Sequence, residues 1–102
     1  MNLFVEGQLP VAIKVLSGQT ELKLKKFEMT TLDVEGLLEL HSRLKPEQYT
    51  KIAEMCEQVK LIDDDGNAHD LLYESLMKSS KQNLEYLNAK RDELEVKEQA
   101  EN

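Results

Sequence analysis

One cysteine, two histidines and a run of acids are the groups with which this chain could do chemistry. Cys56 with His41 or His69 would be the minimum for an activated thiol nucleophile. Its neighbours point elsewhere. Tyr49, Ile52, Ala53, Cys56 and Val59 recur at helical spacing, and a cysteine on such a stripe is ordinarily a small buried hydrophobe. His41 falls on the apolar side of its own helix. Asp63-Asp64-Asp65-Gly66-Asn67 invites a calcium reading. An EF-hand loop needs an acid at its first position, glycine at its sixth and a bidentate glutamate at its twelfth. With Gly66 sixth, the ends are Leu61 and Leu72, and neither can ligate. Gly18 and Gly66 stand alone, so no glycine-rich loop cradles a phosphate. The expectation is a protein without catalytic residues, metal or cofactor.

The elements that must position any site come from 102 residues, of which 40% are hydrophobic and 32% charged. That is one small domain with a marginal core. Five aromatic residues and no Trp leave most of that core to Leu, Ile, Val and Met. The formal net charge is −7 and the pI about 4.8, which argues against nucleic acid and against anionic membranes as partners, since both need a positive face. The charge is uneven. Residues 1–27 carry four Lys and two Glu, a net +2, whereas residues 61–102 carry five bases and eleven acids, a net −6. A single cysteine cannot form an internal disulfide. With no basic N-terminal region ahead of Lys14 and no apolar run near membrane-spanning length, the expected location is the cytoplasm.

Val11–Leu16 and Glu21–Phe27 predict a β-hairpin joined by a four-residue loop, Ser17-Gly18-Gln19-Thr20. Strict alternation fails at Phe27, which predicts a bulge or a strand end near Lys26. Thr30 or Thr31 offers an N-cap to a helix over 32–44 carrying Val34, Leu37, Leu38, His41 and Leu44. Pro46 opens a second helix over 46–60. The acidic turn at 63–67 leads to a third over 68–78, and Ser79-Ser80 precedes a fourth from Lys81. The fold class is then α+β, an N-terminal β-hairpin followed by three to four helices and mainly helical. Residues 1–94 form the domain, with 95–102 as an acidic, frayed end. Leu84, Tyr86, Leu87 and Leu94 are the candidate partner-binding residues: the side of the last helix that bears them belongs either to the core or to a groove that receives another helix.

The order of elements resembles that of the tail assembly chaperones of long-tailed bacteriophages. The resemblance rests on a basic strand running into a leucine-rich helix, Leu22-Lys23-Leu24-Lys25-Lys26-Phe27-Glu28-Met29-Thr30-Thr31-Leu32-Asp33. It extends to the Ser79-Ser80 break ahead of an acidic helix with Asn83, Leu84 and Leu87. The junction here is Phe27-Glu28-Met29, without the proline that family members often carry. The resemblance implies a non-enzymatic helper that binds and solubilises the tape-measure protein during tail assembly and then leaves. It also implies self-association and, in related systems, a longer frameshifted form. The alternative from a different class is a small acidic regulatory adaptor or inhibitor of a host protein, adding a strand to its target's sheet.

Overall fold

Alternation builds the first half of the molecule, in a computed structural model that describes residues 3–100. Strand β1 (Phe4–Ser17) and strand β2 (Thr20–Thr30) pair antiparallel. Helices α1 (Val34–Arg43) and α2 (Thr50–Gln58) follow, then strands β3 (Val59–Ile62) and β4 (Ala68–Asp70), and helices α3 (Tyr73–Met77) and α4 (Lys81–Ala100). The sheet order is β1-β2-β3-β4, antiparallel throughout. The class is α+β, with 45% helix and 33% strand; helix is the larger share, but the expected hairpin is half of a four-stranded sheet rather than followed by helices alone.

Register divides the sheet into two faces. Val5, Met29 and Val59 form one row across three strands, and Gly7, Phe27, Leu61 and His69 form another across four. Apart from Gly7 and His69 these side chains are fully or nearly fully buried, and they carry the core together with Met55, Leu71, Leu76, Leu87 and Leu94. The intervening row is Glu6, Glu28, Lys60 and Asp70, facing solvent, with Lys60 bonded to Asp70. Period-two alternation with one wet face is what an antiparallel sheet requires.

The hairpin is longer and tighter than the alternation predicts. β1 begins at Phe4 rather than Val11, and Ser17 pairs directly with Thr20 across a two-residue turn. Gly18 supplies φ +63° at the first central position, where a type II′ hairpin turn favours glycine. The irregularity expected near Lys26 is a register shift. Gln8 faces Lys26 and Ile13 faces Leu24, so residues 9–12 bulge opposite Lys25. Pro10 sits in this bulge, where no ladder hydrogen bond is asked of it. Asn83 of α4 takes over the missing pairing: its Nδ2 donates to the Val11 carbonyl at 2.9 Å and its Oδ1 accepts from the Val11 N–H at 3.0 Å. α4 can settle here because Gly7 leaves room. A Cβ on that residue would lie 2.7 Å from the Tyr86 hydroxyl.

Helix boundaries shift with the tertiary context. The N-cap of α1 is Asp33, whose Oδ1 accepts from Gly36 N at 2.7 Å, rather than Thr30 or Thr31. Pro46 precedes α2 instead of opening it. The second helix was expected to run to residue 60 and the third to begin at 68. In place of those ends stand β3 and β4, because Val59 and Leu61 fill the sheet positions beside Met29 and Phe27. α4 continues to Ala100 with residues 95–100 exposed. The acidic end expected over 95–102 reaches past the described residues.

Candidate functional site

The four residues singled out on α4 belong to the interior of this chain. Leu87 and Leu94 are 0% and 1% exposed. Leu84 and Tyr86 are half-buried against the same cluster. The Tyr86 ring meets Phe27 edge-on, with centroids 6.0 Å apart, a favoured aromatic geometry. Lys90 Nζ lies over the Tyr86 ring, 5.9 Å from its centroid. A partner could reach Leu87 or Leu94 only by lifting α4 off the sheet. Of the two readings of this face, core or groove for a partner, Leu87 and Leu94 lie on the core side in this chain, where α4 packs on β1 and β2.

The residues with reactive chemistry are tied into structure. Cys56 is half-buried against the core, and burial, followed by the Glu57 carboxylate, pushes its thiol up to about 12. A thiol so disposed stays protonated and poorly nucleophilic at neutral pH. His41 Nε2 lies 3.7 Å from Glu54. His69 Nε2 lies 2.8 Å from Asp63 Oδ2. Asp63 is the centre of the acidic turn. Its Oδ1 accepts from the backbone N–H groups of Asp65 and Asn67, both at 2.9 Å. The His69 hydrogen bond, then that from Asn67, lowers its pKa from 3.8 to about 2. The acids expected to form a solvated turn thus include one carboxylate that closes the β3–β4 connection. Gly66, at φ +85°, completes it. Among the described residues no group of three or more His, Cys, Asp or Glu side chains is placed to hold a metal ion, and no helix is long and apolar enough to cross a membrane.

The surface offers different candidates. On α1, Leu40 is buried and Leu37 half-buried, whereas Val34 and Leu38 are 72% and 62% exposed. These two are one turn apart and form an uncovered apolar ridge. The apolar residues of this helix span nearly half its circumference, more than one buried stripe needs. That width is the sequence signal for an apolar surface extending beyond the buried stripe. A second candidate lies beyond the bulge, where residues 11–16 of β1 face β4 and α3 across two adjoining clefts of about 390 and 380 Å³. Lys14 and Ser75 border both. A third cleft, of about 290 Å³, runs between α1, α2 and α4 and is lined largely by charged side chains, among them Lys51, Arg91, Glu95 and Glu98.

What these surfaces can do is bind. The α1 ridge is an apolar contact surface, and the clefts beside β1 mix apolar residues with Lys14, Asp70 and Lys78. No protein-family model matches the chain, and no curated protein or solved structure matches it either.

Proposed function

We propose that the chain is a non-catalytic assembly chaperone that binds and solubilises the tape-measure protein during phage tail assembly, in the cytoplasm of the host cell. The observation that carries the reading is the α1 ridge, Val34 and Leu38, left open to solvent on a chain of net charge −7. An uncovered apolar ridge supplies affinity for the apolar face of a long helical client. The surrounding charge keeps the complex soluble. Many copies along one client would hold it through individually weak contacts. The choice of client rests on the resemblance of residues 22–33 and 79–87 to the tail assembly chaperones. Neither nucleic acid nor membrane enters the reading.

Co-expression with the tape-measure protein of the same genome tests it. The expected result is that the client stays soluble and co-purifies with the native chain. The double variant Val34→Asp/Leu38→Asp, altered only at exposed positions, stays folded and loses the client. If nothing co-purifies with the native chain, or if the double variant still holds the client, the proposal fails.

A further inference from the structure

The outer face of the hairpin tip is charged oppositely to the chain as a whole. Ile13, Val15, Leu22 and Leu24 turn inward, buried or half-buried, so Lys14, Leu16, Glu21 and Lys23 turn to solvent. The bulge then resets the alternation by one residue. Lys25 and Lys26 both stand exposed between buried Leu24 and buried Phe27. Four lysines and one glutamate give this end of the sheet a net +3, on a chain of net −7. Glu21 is taken by Lys14, at 3.4 Å. Lys23, Lys25 and Lys26 pair with no carboxylate among the described residues. Lys23 stands directly across from Lys14, and like charges so placed repel. Asp64 and Asp65, exposed in the turn after β3, pair with none of these lysines. The patch ends at the row of Glu6, Glu28, Lys60 and Asp70, where acids outnumber bases.

We propose that this basic face of the hairpin docks an extended acidic segment of another protein. Lys23 and Lys25 lie two residues apart on one strand, a spacing of about 6.6–6.8 Å. Alternate side chains of an extended segment repeat at the same distance, so carboxylates at every second position meet both lysines. Leu16, 75% exposed on the same face, gives the segment one apolar contact. The mutual repulsion of the lysines is relieved when the carboxylates arrive, which favours the bound state. A nucleic acid suits the face less well. No aromatic residue stands among these lysines to stack a base, and the charge of −7 on the whole chain opposes a long phosphate backbone. The patch lies on β1 and β2, separate from the α1 ridge, so the inference does not depend on the tape-measure client.

Fluorescence anisotropy with a short labelled peptide tests it, the peptide alternating glutamate with threonine around one leucine. The native chain is expected to bind this peptide, and added salt to weaken the complex. The same peptide with glutamine in place of glutamate binds about tenfold more weakly, as loss of several exposed ion pairs together gives. The triple variant Lys23→Gln/Lys25→Gln/Lys26→Gln shows a similar loss toward the glutamate peptide. Its three positions are exposed, and an unchanged melting curve checks that it folds. A second triple variant, Lys60→Gln/Lys81→Gln/Lys97→Gln, removes the same charge outside the patch and is expected to bind as the native chain does. A native chain that does not bind the glutamate peptide overturns the proposal. So does a first triple variant that binds as well as the native chain, or a glutamine peptide that binds as well as the glutamate one. An equal loss in the second triple variant overturns it too, since net charge would then be the cause. Tighter binding of a short oligothymidylate than of the peptide would make nucleic acid the partner and overturn it as well.

Discussion

Helices α1 and α4 exchange the roles that their sequences suggest. α1 is short and rich in leucine, yet it turns Val34 and Leu38 to solvent and commits only Leu40 fully to the interior. α4 is long, charged and sparse in large apolar residues, yet Asn83, Leu87 and Leu94 are its buried positions and it covers β1 and β2. The difference teaches that burial is decided by what an element lies against. α4 crosses the sheet where the bulge, Gly7 and Asn83 let it approach closely, so a few leucines suffice. α1 lies at the margin, beside α2 and away from the centre of the sheet, so Val34 and Leu38 stay uncovered among the described residues.

The comparison breaks most sharply at Leu87. Leu87→Ala empties a fully buried position and is expected to cost about 2–5 kcal/mol. Denaturant unfolding would show it as a lower midpoint, and an unchanged midpoint would mean that α4 is not the lid of this core. Asn83→Leu comes next. It removes both partners of the Val11 backbone groups and is expected to cost about 1 kcal/mol for each part-buried hydrogen bond lost. Hydrogen exchange at Val11 would rise with it, while exchange in α1 stays as in the native chain.

The smallest effect is a pH dependence remote from both helices. The pKa of Asp63 is lowered by His69 and by the Asn67 backbone, so the stability it contributes is complete above its ordinary pKa of 3.8 and is lost as the pH falls toward about 2. The difference in unfolding midpoint between the native chain and Asp63→Asn should therefore be constant near neutrality and shrink across that acidic window. A difference that is largest at low pH would refute the assignment of the shift to the folded β3–β4 turn.

Local pattern determined a good deal of this protein. The α+β class follows from one alternating segment and several helical ones. The α4 start at Lys81, the turn around Gly66 and the disturbance near Lys26 are written in residue type and spacing, because caps, turns and alternation act over a few neighbours. Only the tertiary structure decided that Val59–Ile62 and Ala68–Asp70 are strands. Their short apolar and mixed runs suit helix or strand equally, and the choice fell to the open edge of β2, where Val59 and Leu61 meet Met29 and Phe27. It also decided that Leu84, Tyr86, Leu87 and Leu94 serve the core and that the open surfaces lie on α1 and beside β1. A sequence states how apolar a face is. Which face finds a cover depends on the distances between elements, and those are set when the sheet, its bulge and the last helix come together.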